Sequence, residues 1–415
     1  MRGVIANSRF RRLWVSAMGV ALGDAFMQMG LLELFRKHHY DERVETAKML
    51  LAISLAGFLL GPFAMAYIDR WQRRSVLIVS DALRALVVVM IACWLLPLIT
   101  GHMEARHLFV VYFMIFLIGV LTTFYYPARA ALVPNLVRVE DLVPANTLFA
   151  ASLAVATVGG RALGGFIAEV MGLEWAVLAN ALAYIASVIV IWGLHVEPHA
   201  ASLAAGGEAK NGWKELKTGL VYLGKHRLAL PLVVLSGVFA FLLIILTVNF
   251  VHYAFHTLNL GTGGLGYLIG AGGAGAAIGI AAFGRGKPWT RANWLPFVQL
   301  VIGGAMMMLM SVCRNVWLVV PLVIVLGSVA ATIMIHIDAK LQEQVEDQRR
   351  GAVFAARGML TSLAMIIACG LQIWTAVFRD TPPPTVLFWL GVGSMATTVV
   401  LVLATWGRRL RTTPA

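Results

Sequence analysis

The sequence predicts an all-α integral membrane protein with twelve transmembrane helices in two related six-helix bundles. Three observations predict this class. The chain of 415 residues is 60% hydrophobic and only 13% charged, which is more apolar than a soluble domain of this length requires. Apolar windows long enough to cross a hydrocarbon core of about 30 Å recur along the chain. One long polar stretch, 196–227, separates six of these windows from the other six.

The windows differ in composition. Six of them carry no Asp, Glu, Lys or Arg, and they lie at 108–127, 175–194, 228–251, 294–312, 316–335 and 385–406. Six more are interrupted by ionisable residues or diluted by glycine, and they lie at about 13–35, 46–68, 75–99, 143–168, 262–283 and 351–378. In chain order these windows are spans 1 to 12. The basic N-terminal stretch runs into span 1 without a small-residue cleavage site, so we expect the first helix to stay in the protein.

The distribution of charge predicts orientation. The formal net charge is +13, and the Lys and Arg residues are concentrated in alternate loops and tails, on the side of the N-terminus. This positive-inside pattern places both termini in the cytoplasm of a multi-pass protein of the cytoplasmic (inner) membrane, in contact with anionic lipid headgroups. No basic face with interleaved aromatic residues stands outside the spans, so we do not expect nucleic-acid binding.

The chemistry-bearing motifs of common enzymes are missing from the sequence. It contains no HExxH, GxSxG or phosphate-binding loop, so we expect no enzyme activity. Its three cysteines, Cys93, Cys313 and Cys369, lie too far apart for metal-ligand spacing. We therefore expect no metal site and no cofactor.

The polar stretch divides the chain into an N-terminal bundle (1–195), a linker (196–227) and a C-terminal bundle (228–415). Within the linker, one helical face holds Trp213, Leu216, Leu220 and Leu223, which predicts an amphipathic helix on the cytoplasmic surface. The tripeptide VED occurs just before span 5 and again just before span 11. Its equivalent placement in the two halves indicates duplication, which is typical of transporters.

Glycines are concentrated in spans 5 and 8. Small residues four apart let helix backbones approach closely, and such pairs occur at Gly160 and Gly164, Gly266 and Gly270, and Gly275 and Gly279. Packing alone explains such pairs. A sharper hypothesis is that spans 5 and 8 form a smooth contact along which the two halves rock.

The loop after span 2, MAYIDRWQRR, resembles the corresponding loop of the major facilitator superfamily. In that family the pattern is Gly, three residues, an Asp, a basic residue, one residue, Gly and two basic residues. Here Met65 and Gln72 replace the two glycines, whereas Asp69, Arg70, Arg73 and Arg74 keep the charged positions. The stretch YYPARAALVPNLVRVEDLVPANTLFAAS resembles enterobactin-exporter-like and lysophospholipid-transporter-like members of the family.

Two interpretations of this loop remain open. The charges anchor a tight cytoplasmic turn and fix topology. The resemblance also implies that Asp69 and Arg73 form a charge relay under the N-terminal end of span 11, which holds a cytoplasmic gate shut. Asp81 and Arg84, one turn apart in span 3, would extend this gate network.

Ionisable residues within the spans are the candidates for substrate contact or coupling. Asp24 lies about halfway along span 1, where a carboxyl group can carry a proton, with a purely structural role as the alternative. Glu33 lies further out, where a structural role at the rim is the commoner use. Arg161 stands where drug antiporters of the family have proline, and the resemblance places span 1 beside span 5. We therefore expect Arg161 to pair with Asp24, or else to anchor span 5 at the headgroups.

In the second half, Asn249, His252 and His256 lie at helical spacing in the outer part of span 7. His252 and Asn249 are candidates for the cavity, with interfacial hydrogen bonding as the commoner use. The family's drug antiporters usually carry an arginine in span 4, but span 4 here has no charge.

The leading function hypothesis is a monomeric secondary active transporter that exports a small amphipathic molecule by alternating access, coupled to protons. The alternative is a translocator of lysophospholipid or another lipid, which the uncharged span 4 favours. A non-transporting membrane scaffold is the alternative of another class.

Overall fold

The computed structural model describes residues 2–68, 71–95, 105–194, 212–226, 229–283, 294–378 and 382–410. Within these ranges the chain is almost wholly helical and has no strand, which confirms the all-α class. The helices that contain the predicted spans keep the span numbers. Spans 1 to 6 are Ser8–Lys37, Glu42–Ile68, Arg73–Leu95, Ala105–Leu132, Leu142–Val170 and Leu173–Trp192. Spans 7 to 12 are Ala229–His256, Thr262–Phe283, Leu295–Val312, Val316–Gln344, Asp347–Phe378 and Pro383–Leu410.

Shorter helices lie outside the spans. A helix at Arg2–Ala6 precedes span 1, two 3-10 turns at Val133–Asn135 and Val139–Asp141 connect spans 4 and 5, and the linker contains a helix at Gly212–Lys225. Among the described residues, eleven helices are long and apolar enough to cross a membrane, and these are spans 1 to 11. Predicted span 12 falls within Pro383–Leu410. Its membrane crossing stays a prediction.

Local sequence explains where several spans begin. The side chain of Asn7 accepts hydrogen bonds from the backbone N–H groups of Arg9 and Phe10 at 3.0 and 3.3 Å. Asn315 accepts from the Trp317 N–H at 2.9 Å in the same way. Such caps satisfy donors that a helix start leaves without intrahelical partners. Spans 5 and 6 are joined by a tight turn at Gly172, whose φ of 99° favours glycine.

The packing of the first six spans is repeated in the last six. Span 1 contacts spans 5 and 6, and span 7 contacts spans 11 and 12. Span 4 packs on spans 2 and 3, and span 10 packs on spans 8 and 9. Span 3 also contacts span 6, as span 9 contacts span 12. This correspondence fits the duplication that the VED repeat indicates, while the domain boundaries themselves stay a prediction.

The two halves meet along two main pairs of helices. Span 2 packs against span 11, and span 5 packs against span 8. We name the ends of the molecule by the predicted orientation. The outer end carries the turns at 38–41, 171–172, 257–261 and 313–315, and the inner end carries the chain between spans 2 and 3, 4 and 5, and 10 and 11.

The linker helix packs on the inner end with only part of its apolar stripe. Leu216 and Leu223 are 2% and 1% exposed and pack in one cluster with residues of spans 7, 10 and 11. Trp213 and Leu220 lie at the edge of the stripe and are 54% and 40% exposed. The helix is therefore part of the protein core on one side, and at its partly exposed edge Trp213 packs on Phe63 of span 2, with 5.6 Å between the ring centroids. Its location on the cytoplasmic surface stays a prediction.

Candidate functional site

A buried polar cluster occupies the middle of the N-terminal half. The Tyr184 hydroxyl and the Asn180 side-chain amide both donate to the same oxygen of Asp24, at 2.5 and 3.2 Å. Tyr184 and Asn180 are each 1% exposed. Both donors stand on span 6, which packs along span 1, and they lie four residues apart on one face of that helix. Among the described residues, Asp24 forms no ion pair, and its hydrogen-bond donors are neutral groups.

Asp81 and Arg84 form an ion pair in the same region, with 3.3 Å between Arg84 Nη1 and Asp81 Oδ1. Both residues are at most 1% exposed. Ser187 on span 6 donates to the other oxygen of Asp81 at 2.5 Å, and its hydroxyl lies 2.6 Å from that of Ser16 on span 1. The pair therefore lies inside the packing of spans 1, 3 and 6, one helical turn from Tyr184.

Arg84 connects this ion pair to the group around Asp24. Its guanidinium lies 4.2 Å from the ring centroid of Tyr125 and 5.5 Å from that of Tyr184. Its Nε and Nη2 groups are buried and form no hydrogen bond with the described residues. The sequence predicts Asp81 and Arg84 as part of an inner gate. The structure groups them with Asp24 through the aromatic ring of Tyr184, and their role in a gate stays a prediction.

Arg161 is the candidate whose partner differs from the expected one. Its Nε donates to the side-chain carbonyl of Gln28 at 3.1 Å. Gln28 stands one turn after Asp24 on span 1, so Arg161 does face that helix. Among the described residues, Arg161 and Asp24 share no ion pair or hydrogen bond, and Arg161 has Gln28 as its partner instead.

A second cation, Arg129, lies among aromatic side chains of the N-terminal half. The Arg129 guanidinium lies 4.9 Å from the ring centroid of Tyr126 and 5.0 Å from that of Phe149. Arg129 has no carboxylate partner among the described residues. Tyr126 is 50% exposed, whereas Tyr125 and Tyr184 are each 1% exposed. Of these tyrosines, only Tyr126 has a large exposed surface, while the other two pack inside the half.

Polar contacts join the two halves at the outer end. Glu33, which is 1% exposed, accepts hydrogen bonds from Arg36 on its own helix at 2.8 and 2.9 Å. It also accepts one from the hydroxyl of Thr262, at the start of span 8, at 2.9 Å. Beside it, Glu169 at the end of span 5 accepts from the backbone N–H of Gly263 at 2.7 Å. A carboxylate at a helix N-terminus is stabilised by the free N–H groups and the dipole there.

A further polar contact joins span 2 to span 7. Nε2 of His256 lies 3.1 Å from an oxygen of Glu42, and Nδ1 of His252 lies 3.8 Å from the same oxygen. Asn249, one turn earlier on span 7, is 1% exposed and donates to Gln372 on span 11 at 2.6 Å. Asn249 therefore joins two helices of the C-terminal half, while His252 faces the other half.

The inner loop is described only in part. Asp69 and Arg70 lie outside the described residues, so the proposed relay between Asp69 and Arg73 stays a prediction. Arg73 donates to the carbonyl oxygen of Ala131 on span 4 at 2.6 Å. Arg74 donates to the carbonyl oxygens of Ile191 and Trp192, at 3.3 and 2.5 Å. Because these carbonyls stand at helix C-terminal ends, both arginines anchor span 3 to its neighbours.

Glycines bring spans 5 and 8 together as the sequence suggests, but only one of the three predicted glycine pairs lies at this contact. Gly266 faces the backbone of Arg161 and Ala162, and Gly270 faces the Ala162 side chain. Gly165 of span 5 faces the Thr262 carbonyl. The other two glycine pairs pack inside their own halves, at Gly160 and Gly164 against span 1 and at Gly275 and Gly279 against span 10.

Several of the residues that make these polar contacts carry no signal in the sequence. Asn180, Ser187 and Gln28 are neutral and common within spans, and no local signal singles them out. Glu42 and Glu169 stand at helix ends, where acidic residues are common, so their positions do not indicate a partner. Only the four-residue spacing of His252 and His256, in the outer part of span 7, indicates a partner on another helix.

The comparisons with known proteins cover most of the chain. A family model described as the Major Facilitator Superfamily matches residues 13–369. The uncharacterized MFS-type transporter YkuC of Bacillus subtilis is 21% identical over 387 residues, covering 89% of this chain and 85% of that protein. An uncharacterized MFS-type transporter of Mycobacterium tuberculosis is 26% identical over 428 residues, covering 93% and 89%. The lysophospholipid transporter LplT of Klebsiella pneumoniae is 24% identical over 409 residues, covering 94% and 93%.

Proposed function

Since the chain belongs to the major facilitator superfamily and is a multi-pass membrane transporter by family, we propose that it moves a small amphipathic molecule by alternating access. In this proposal, transport is outward and coupled to protons. The observation that carries the proposal is the buried cluster of Asp24, Asp81 and Arg84. An ionisable group inside a membrane helix bundle is costly, and such groups are kept where they bind or exchange ions.

The two acids of the cluster differ in their partners. Asp81 is held by Arg84 and Ser187 and serves to position the cation. Asp24 has only neutral donors, so it can take up and release a proton without breaking an ion pair. In the proposal, Asp24 is the coupling residue, and Tyr184 and Asn180 orient its carboxyl group.

The substrate class follows from the unpaired cation. Arg129 stands at the inner end of span 4 with aromatic rings around it and without a carboxylate among the described residues. An anionic group of a substrate would bind this guanidinium, and the half-exposed ring of Tyr126 would contact an apolar portion. A molecule with an acidic head and an apolar tail fits both features.

Lysophospholipid translocation is the second candidate. It is favoured by the relatives named as lysophospholipid transporters and by the uncharged stretch 108–127 of span 4, which ends before Arg129. A lipid would enter such a helix bundle from the membrane side, where a charged span would be unfavourable. The phosphate of a lysophospholipid would then meet Arg129.

The test is uptake into inside-out vesicles that contain the protein, with a panel of amphipathic dyes, siderophores and labelled lysophospholipids. Each compound is measured with and without a proton gradient. We expect gradient-dependent accumulation of an acidic amphipath in the wild-type protein. Asp24→Asn keeps size and hydrogen bonding and should abolish accumulation while leaving the protein folded and inserted.

The control is Glu343→Gln, which removes an acid whose side chain is 68% exposed beside Lys340. This variant should transport like the wild type. Undiminished, gradient-dependent transport by Asp24→Asn would refute the coupling role. Transport of lysophospholipid alone, with no response to the gradient, would refute the leading proposal in favour of lipid translocation.

A further inference from the structure

We propose that Glu42, His252 and His256 form a binding site for a divalent transition-metal ion of the Zn²⁺ class, which bridges the two halves at the outer end. The carboxylate belongs to the first turn of span 2, and the two imidazoles belong to the last turns of span 7. One ligand atom from each residue lies within 4.8 Å of the others.

The spacing of the ligands fits a metal. His252 and His256 are four residues apart, so both rings project from one face of span 7. Two ligands at about 2.05 Å from a tetrahedral Zn²⁺ are separated by about 3.3 Å. The Glu42 oxygen lies 3.1 Å from His256 Nε2 and 3.8 Å from His252 Nδ1. These distances differ from the tetrahedral value by about 0.2 and 0.5 Å, which side-chain rotation can supply.

Hydrogen bonding leaves this cluster incompletely satisfied. His252 Nδ1 is buried and forms no hydrogen bond with the described residues, although it faces the Glu42 oxygen. The buried nitrogen therefore has a lone pair or a proton without a close partner, which is unfavourable in an apolar setting. A metal ion between the three groups would give this nitrogen a ligand bond.

The chemistry of the donors selects the metal. Two imidazole nitrogens and one carboxylate oxygen suit Zn²⁺, and three protein ligands leave a fourth position for water. His256 has a side chain that is 53% exposed, so the site can be reached from solvent. The nearest basic neighbour in sequence, Arg43, is paired with Asp41 at 3.2 Å. This pairing reduces the repulsion that a free guanidinium would exert on a bound cation.

The location gives the site a consequence for the whole molecule. Glu42 belongs to the N-terminal half and both histidines belong to the C-terminal half, 214 residues apart in the case of His256. Opening of the outer end must separate these residues. A bound metal would therefore favour the arrangement in which the outer end is closed.

The experiment measures Zn²⁺ binding to the purified full-length protein in detergent, by competition with a chromogenic chelator. We expect one Zn²⁺ per chain at micromolar concentration. Glu42→Gln, His252→Ala and His256→Ala should each weaken binding at least about tenfold. His107→Ala removes a histidine that packs on Trp94 outside the cluster, and it should bind Zn²⁺ like the wild type.

A second measurement does not depend on the folding of variants. X-ray absorption of the zinc-loaded wild-type protein should show two imidazole ligands, and Zn²⁺ should raise the apparent melting temperature. Absence of stoichiometric binding at micromolar Zn²⁺ would overturn the proposal. Equal binding by the wild type and the three ligand variants would overturn it as well, since it would assign the zinc to other surface groups.

Discussion

Substitution of Gly266 by alanine tests whether the contact between spans 5 and 8 depends on a bare backbone. A Cβ at Gly266 would lie 2.6 Å from the carbonyl oxygen of Arg161 and 3.0 Å from the Cα of Ala162. Close carbon–oxygen contacts in proteins lie at about 3.3–3.6 Å. The obstructing atoms belong to the facing backbone and cannot rotate away, so the two helices must separate by about 0.7–1 Å. Overpacking of this kind costs about 1–3 kcal/mol.

A matched control lies one turn further along the same helix. A Cβ at Gly270 would lie 3.7 Å from the Cβ of Ala162, which is an ordinary van der Waals contact. Gly270→Ala should therefore change stability by less than about 0.5 kcal/mol, apart from the gain in helix propensity. The comparison separates the effect of close approach from the effect of replacing a glycine.

Two assays measure the loss of stability and the separation of the halves. The apparent melting temperature in detergent should fall for Gly266→Ala and stay near the wild-type value for Gly270→Ala. Spin labels at Met171 and Trp317, both exposed at the outer end, should show a longer or broader distance distribution for Gly266→Ala alone. Identical behaviour of the two variants in both assays would refute the claim that Gly266 sets the approach of the halves.

Three further predictions concern the buried polar groups. Arg84→Met alone should destabilise the protein by about 3–5 kcal/mol because it leaves Asp81 buried without its cation. The double variant Arg84→Met with Asp81→Leu should recover most of this stability. Additive losses in a thermal-stability cycle would contradict this expectation. Arg161→Ala and Gln28→Ala should be non-additive by about 0.5–3 kcal/mol because they remove the two sides of one hydrogen bond of 3.1 Å. Arg161→Ala and Asp24→Asn should be additive in the same assay, and a coupling between them would show that the two residues interact.

The sequence predicted the spans well because membrane crossing depends on local composition. A window of apolar residues long enough to cross the bilayer must form a helix, since backbone groups have no other partner there. Each of the described spans 1 to 11 covers most of the window predicted for it, and within the described residues the helix ends differ from the window ends by a few residues. The linker helix was predicted by its periodic apolar stripe, but the division of that stripe between core and partly exposed edge depended on neighbouring helices.

The candidate site could be predicted only as single residues. Asp24, Asp81 and Arg84 are conspicuous because charges in spans are rare, and the ion pair at 3.3 Å follows from their spacing of one turn. Nothing in the sequence indicates that Tyr184 donates to Asp24, since the two stand on different helices and 160 residues apart. The same holds for Arg161, whose partner depends on how far spans 1 and 5 are rotated and shifted against each other.

The sequence by itself therefore determined which segments are helices, in what order they cross the membrane and which charges are buried within them. Tertiary structure alone decided that Glu42 meets His252 and His256, that Arg161 meets Gln28 and that Gly266 meets span 5. The physical reason is range. Apolar periodicity and capping act over a few turns of one helix, whereas these contacts depend on the packing of helices that the membrane has already stabilised one by one.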